Sequence, residues 1–440
     1  MKKSQIVVAK FGGSSLADTG QFRKVKGILD ADPARRYVVP SAPGKRGSAD
    51  EKVTDLLYRC CEKAGAGEDY AADLMKIRMR YQEIAAGLGL EISLEKEFAV
   101  MEQALADGAG AQYAASRGEY LNGILLAAYL GFEFVDAAEV ICFDKDGRFE
   151  AERTNVFLKE RLMEIERAVI PGFYGADDAG SIHTFSRGGS DVTGALVARA
   201  VQADLYENWT DVPGFLLTDP GIVGHPKKID AMTYAELREL SYRGATVLHE
   251  DAVFPVRREG ISIRICNTND PGGTGTLICR ETSPENEETI TGIAGKKNFV
   301  AISIAKNRMN AQPGFCRKML EAFEENAIAF EHMPSGIDTI SVILSREEYN
   351  RKKEALMDSL RRLLQPDKIT VDEDMALVTV VGKGMRSQSG IAARFFTALG
   401  MAGVNIKMID MGSNEINCTI GVSNQDFETA IRALYDALVE

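Results

Sequence analysis

The chain has 440 residues, 45% hydrophobic and 26% charged, with a formal net charge of −12. That length supports a large core and two or three domains, and the acidic balance argues against a nucleic-acid partner. No apolar run reaches the ~18 residues of a membrane-spanning helix, so no membrane partner is expected.

The opening Met-Lys-Lys-Ser-Gln runs straight into a strand-like stretch and lacks the apolar core of a signal peptide. Seven cysteines (60, 61, 142, 266, 279, 316 and 418) are scattered without a Cys-x-x-Cys pair, and only four histidines are present. This usage fits a reducing cytoplasm and argues against a zinc site or a disulfide framework, so no protein-held metal is expected.

Ile6 to Phe11 is a continuous apolar run, the pattern of a buried parallel strand. It leads into Gly12-Gly13-Ser14-Ser15 and a helix carrying Phe22, Val25, Ile28 and Leu29. Strand, Gly-rich loop and helix together offer backbone N–H groups to phosphates. Lys10 stands at the strand's carboxyl end, where open α/β sheets bind ligands. The loop is neither a Walker A nor a Gly-x-Gly-x-x-Gly motif.

Tyr37-Val38-Val39 is a second strand, ending at Pro40-Ser41-Ala42-Pro43-Gly44. The charged stretch from Lys45 to Glu51 is expected to be a mobile loop. A helix opens at Lys52 and carries Thr54, and residues 62–112 form an Ala-rich helical insertion. Ser116-Arg117-Gly118-Glu119 has the spacing of a capping box, which by itself would explain Glu119 as a helix start.

Phe185-Ser186-Arg187-Gly188-Gly189-Ser190-Asp191 follows further strands at Phe134-Val135 and 168–173. It reads as strand, tight turn and helix. The glycines allow close ligand approach, Ser190 or Asp191 can cap the helix, and Arg187 suits a carboxylate or phosphate. An ordinary glycine turn with a surface arginine would give the same pattern. Leu205 to Trp209 is a strand ending in Thr210-Asp211-Val212-Pro213-Gly214, and Thr233-x-x-Glu236 is a second capping box. Val247-Leu248-His249 starts a helix, and Ile261 to Ile265 alternates as a strand.

After the polar stretch 280–288 the pattern changes. Strands at 299–304, 327–330 and 339–344 alternate with helices from Pro313 and Arg346, and a similar series follows from 376 to the end. Two βαββα units of similar length are an internal repeat of ferredoxin-like type, suited to ligand sensing or subunit pairing.

In this order and spacing the motifs closely resemble the aspartate kinases of the amino-acid kinase family, over essentially the whole chain. They are Lys10 to Ser15, Ser186 to Asp191, Trp209 to Gly214, Thr218-Asp219-Pro220 and Gly244 to His249. The two C-terminal units look like tandem ACT domains. The resemblance implies a three-layer α/β/α catalytic domain over 1–283, then regulatory ACT units over 290–368 and 369–440.

It further implies transfer of a phosphoryl group from ATP, with Mg²⁺, to the side-chain carboxylate of L-aspartate. Lys10, Arg187 and Asp191 would be catalytic. Lys10, Phe11, Gly12, Gly13, Thr210, Asp211 and Leu216, near Phe215, would meet the nucleotide. Ser41, Thr54, Glu119, Arg187, Gly188, Gly189 and Ser190 would hold aspartate. An effector, lysine or threonine, would bind at Met309, Gly314, Phe315 and Glu331. A homodimer or dimer of dimers is expected, since pairing would cover sheet edges. Thr246 and Gly221 depart from the Lys and Arg of many members, both near ATP. Two other readings stand beside this one: a kinase for a glutamate-type acid, and a non-catalytic amino-acid sensor.

Overall fold

The computed structural model describes residues 5–439 except 187, 245–247, 249–252, 283–288, 387 and 412–415. They fall into two compact units. The first runs through Phe215 and takes up 228–241 and the stretch through 282; the second holds 216–227, 242–244 and the chain from 289 onward.

The strands of the first unit are β1 (Val7–Phe11), β2 (Arg35–Pro40), β3 (Glu133–Phe134), β4 (Ala168–Val169) and β5 (Tyr174–Ala176), then β6 (Ile182–Thr184), β7 (Leu205–Thr210), β8 (Ala231–Thr233), β9 (Ser262–Asn267) and β10 (Thr276–Cys279). Its helices are α1 (Thr19–Ala31), α2 (Val53–Ala66), α3 (Ala71–Leu88), α4 (Glu95–Ala106) and α5 (Ala111–Leu130), then α6 (Ala137–Val140), α7 (Ala151–Leu162), α8 (Gly189–Ala200), α9 (Tyr234–Tyr242) and α10 (Phe254–Glu259).

An eight-stranded sheet in the order β3-β4-β2-β1-β7-β9-β10-β8 forms the centre, parallel except where β10 runs against β9. β1 lies between β2 and β7, buried along its whole length. Its alternation divides the faces. Ala9 and Phe11 join one core with Phe22 of α1, Leu57 of α2, Tyr81 of α3, Phe98 of α4 and Leu121 of α5. Lys10 points to the opposite face, toward α8. Each fully buried Phe or Leu contributes about 1.5–3 kcal/mol relative to exposure.

Two expected features differ. Helix α5 starts at Ala111, not near Ser116, so Ser116 and Glu119 lie mid-helix and form no capping box. The Ser116 hydroxyl instead donates to the Tyr113 carbonyl at 2.7 Å. Helix α8 is entered through Gly188 at φ 77°, with no side-chain cap from Ser190 or Asp191. The loop after Gly44 is strapped by ion pairs of Asp50 with Arg46 and Arg80. The second capping box does form: the Glu236 carboxylate accepts from both the amide and the hydroxyl of Thr233 at 2.7 Å.

The second unit is a five-stranded antiparallel sheet. It contains β11 (Gly292–Ala305), β12 (Thr339–Ser345), β13 (Lys368–Val381), β14 (Met408–Asp410) and β15 (Asn417–Val422), in the order β12-β11-β13-β15-β14. Its helices are α11 (Phe315–Glu325), α12 (Arg346–Leu364), α13 (Ile391–Met401) and α14 (Phe427–Leu438). The two long strands β11 and β13 pair along both halves of the sheet and join the repeats into one layer. The strand expected at 327–330 is absent; the chain there is irregular and bridges β12 at His332 and Ser335.

Candidate active site

Lys10 is 8% exposed and Asp191 9%. β1 carries the lysine and the first turn of α8 the aspartate, and Lys10 Nζ lies 2.5 Å from Asp191 Oδ1. Asn208 of β7 is the register partner of Lys10. Its Oδ1 accepts from Lys10 Nζ at 3.3 Å, and its Nδ2 donates to Asp191 Oδ1 at 2.9 Å. The Tyr206 hydroxyl donates to the Asp191 carbonyl at 3.0 Å, and Gly194 leaves room for that ring. A buried ion pair needs further hydrogen bonds to offset its desolvation, and Asn208 supplies one to each partner.

The pair opens onto a cavity of about 350 Å³. The turn of Gly188, Gly189 and Ser190 forms one wall, with Phe173 beside it. Ser41, Thr54 and Glu119 form another, with Lys52 and Asp55 at the start of α2. Gly188 adopts φ 77°, a backbone that favours glycine, and a Cβ on Gly189 would lie 2.6 Å from the Phe173 ring. Phe173 itself adopts φ 81°, an unfavourable backbone for a bulky residue, of the kind that gathers at functional sites.

Glu119 is buried, and its Oε2 has no hydrogen-bond partner. Burial pushes its carboxyl up to about 7, against the pull of the Ala42 amide, its own amide and Lys10. One turn along α5, Asn122 donates to the Ser41 carbonyl at 2.7 Å, fixing that loop against the helix. A buried carboxylate with an open oxygen is a receptor for a cation or a donor.

Gly12 and Gly13 lie at the strand ends. The Gly12 amide donates to the Trp209 carbonyl at 2.9 Å. A Cβ on Gly13 would lie 2.9 Å from the Ala42 carbonyl oxygen, so only glycine lets the two loops meet. Phe11 turns into the core, stacked on Trp209. Thr210 ends β7, its hydroxyl donating to the exposed Asp211 carboxylate at 3.2 Å. Phe215 is buried in the first unit, and Leu216 belongs to the second.

The structure therefore brings together Lys10, Asp191, Ser41, Thr54, Glu119, Gly188, Gly189 and Ser190. Arg187, Thr246 and His249 lie outside the described residues. Sequence reasoning missed Asn208, Lys52, Asp55 and Phe173. The available signal for Asn208 was a lone amide within a buried parallel strand.

In the second unit, Met309 and Phe315 are buried in the core beside α11, and Gly314 enters that helix at φ 82°. Glu331 accepts from the Tyr242 hydroxyl at 3.0 Å and lies 3.7 Å from Arg243 Nη1.

Residues 5–267 match the amino acid kinase family, and 378–438 match the ACT domain. Aspartokinase 3 of Bacillus subtilis is 38% identical over 97% of both chains. The crystal structure of Clostridium acetobutylicum aspartate kinase superposes with a TM-score of 0.88 at 50% identity, covering 99% of this chain and 100% of that one. Escherichia coli aspartokinase III in complex with aspartate and ADP (R-state) gives a TM-score of 0.76 at 26% identity with the same coverage. The same enzyme with lysine and aspartate (T-state) gives 0.72 at 27%, again with the same coverage. This chain belongs to the amino acid kinase family, in its aspartokinase branch with a C-terminal ACT region.

Proposed function

We propose that this chain transfers the γ-phosphoryl group of ATP to the side-chain carboxylate of L-aspartate, giving 4-phospho-L-aspartate for the lysine, threonine and methionine branches of biosynthesis. The observation that carries it is the cavity where the Lys10–Asp191–Asn208 cluster stands across from the open Glu119 carboxylate. Glu119 would take the substrate's ammonium, Ser41, Thr54 and Ser190 its polar atoms, and Arg187 its α-carboxylate.

An aspartate side chain with a reference pKa near ~4 is already ionised at pH 7, so the attack needs no general base. The barrier is one of charge, and positioning with electrostatic stabilisation lowers it. Lys10 would face the transferring group, held by Asp191 and Asn208. The Gly12 and Gly13 turn would lie along the phosphates, with Thr210 and Asp211 toward the nucleotide. Among the described residues no His, Cys, Asp and Glu cluster could hold a metal. Mg²⁺ would arrive with ATP, held by phosphate oxygens and water, and would neutralise phosphate charge.

Feedback by lysine is the regulatory reading, with threonine second. Glu331 supports it: among the described residues its carboxylate meets the Tyr242 hydroxyl and, at 3.7 Å, the Arg243 guanidinium, and an ammonium could compete for it. A dimer through the ACT region and a cytoplasmic location complete the reading; no described helix is long and apolar enough to cross a membrane.

The test is incubation with MgATP and aspartate, trapping the acyl phosphate with hydroxylamine, with and without lysine. Aspartate-dependent hydroxamate that falls with lysine is the expected result. Product only from a glutamate-type acid would move the substrate, and no turnover with any acid would leave an amino-acid sensor.

A further inference from the structure

Helix α3, in the helical insertion, sends one cation between two loops of the site. Arg80 is 6% exposed. Its Nη1 donates to the carbonyls of Ala17 at 3.1 Å and Gly44 at 3.0 Å, and its Nη2 pairs with Asp50. Ala17 closes the short turn Gly13–Leu16 that follows Lys10, and Gly44 closes the loop that carries Ser41.

Those two loops touch through bare backbone. The Gly44 amide donates to the Gly13 carbonyl at 2.8 Å, and a Cβ on Gly44 would lie 2.6 Å from Gly13 C. Two glycines in contact have no side chains to hold their register. One guanidinium joined to both loops supplies that register, because its planar fork fixes several acceptors at set angles. A second grip lies one turn further along α3, where Glu83 pairs with Arg46 at 2.8 Å, and Arg46 also holds Asp50.

We propose that Arg80 is a positioning residue for phosphoryl transfer: by tying Ala17 to Gly44 it sets the distance between the Gly12–Gly13 turn and Ser41. This rests on the reading that these loops hold the two substrates. Arg80 touches neither substrate and acts through the loops.

The experiment compares full-length Arg80→Lys, Arg80→Ala and Asp50→Asn with wild type, measuring kcat, both KM values and the thermal midpoint. Lysine keeps the charge but not the fork. Loop misplacement on the order of 1 Å can cost about 100-fold. Arg80→Lys is therefore expected to lose about 10- to 100-fold in kcat, with KM changes below about threefold. Arg80→Ala should regain kcat on adding guanidinium at non-denaturing concentration, and not with sodium chloride. Asp50→Asn keeps both carbonyl bonds and should stay within about threefold of wild type.

A folded Arg80→Lys with kcat within about threefold of wild type would overturn the proposal. So would a folded, inactive Arg80→Ala that guanidinium leaves inactive, or an Asp50→Asn loss equal to that of Arg80→Lys. If Arg80→Ala does not fold, Arg80→Lys decides. Failure of wild type itself to phosphorylate aspartate would sink the underlying reading and this proposal together. A normal wild-type rate beside an unaffected Arg80→Lys sinks this proposal alone.

Discussion

Lys10 and Asn208 sit directly opposite one another on β1 and β7, and the amide of Asn208 bridges the lysine to Asp191. The carbonyl end faces the ammonium and the NH₂ end faces the carboxylate. This arrangement holds the ion pair without adding charge. An aspartate at 208 would put a second carboxylate against Lys10 and cancel the positive charge owed to the phosphoryl group.

Asn208→Asp is therefore expected to lower kcat about 10- to 100-fold, since hydrogen bonds to charged groups are worth about 1.5–3 kcal/mol. Its aspartate KM should change little. Asn208→Leu, which only removes the bridge, should cost less. Lys10→Ala should cost at least about 100- to 1,000-fold, as for other removed electrostatic donors. Steady-state kinetics with each variant checks the order. Equal activity of Asn208→Asp and wild type would remove the amide from any role at the site.

Glu119 gives a pH signature. Burial raises its carboxyl from the ordinary 4.5 to about 7 in the folded protein. The folded chain thus holds a proton that the unfolded chain has released. Its contribution to stability is present below 4.5, falls as pH rises toward 7 and is flat above. Aspartate's ammonium needs the ionised form, so binding releases that proton. Affinity for aspartate should rise with pH up to about 7, by at most about tenfold per unit, and then level off. Calorimetry from pH 5.5 to 8.5 would show it. Glu119→Gln should bind weakly and without this slope. A flat wild-type profile would place the ammonium elsewhere.

Much of this site was legible because its chemistry sits in short runs. Lys10 to Gly13 and Gly188 to Asp191 are each contiguous, and strand-then-glycine patterns put them at strand ends. What stayed hidden depended on distant partners. Arg80 is 63 positions from Ala17, and no local pattern separates it from a surface arginine. Ser116 and Glu119 had the spacing of a helix start, but the helix begins at Ala111, five residues before Ser116, and the cavity claims the glutamate. Residues 327–330 are apolar enough for a strand, yet the sheet edge is taken by β12 and short bridges.

For the effector, Glu331 is the discriminating residue. Glu331→Gln keeps the Tyr242 hydroxyl as a neighbour but loses the charge an ε-ammonium needs. The lysine concentration for half-inhibition should rise at least about tenfold, the loss of one charge-assisted contact. Activity without lysine should stay within about twofold. Inhibition assays over a lysine series, repeated with threonine, check this. An unchanged lysine midpoint would exclude Glu331 from the effector site, and inhibition by threonine alone would change the effector.

Gly13 tests whether the contact between the two loops matters at all. A Cβ there would lie 2.9 Å from the Ala42 carbonyl oxygen and 3.2 Å from the Gly44 amide nitrogen. Both are backbone atoms and cannot rotate away, so the loops must part. Gly13→Ala should lose about 1–3 kcal/mol of stability, the usual cost of forcing extra volume into a close-packed contact. It should also lose turnover well beyond what that destabilisation explains, because the lysine side and the Ser41 side of the cavity separate. Gly47→Ala, in the same loop with nothing within 4 Å, is the control and should be neutral or slightly stabilising. Thermal melts and kcat on both variants give the comparison. If Gly13→Ala melts lower yet keeps full kcat, the loop spacing tolerates change, and the tight glycine contact serves only the fold.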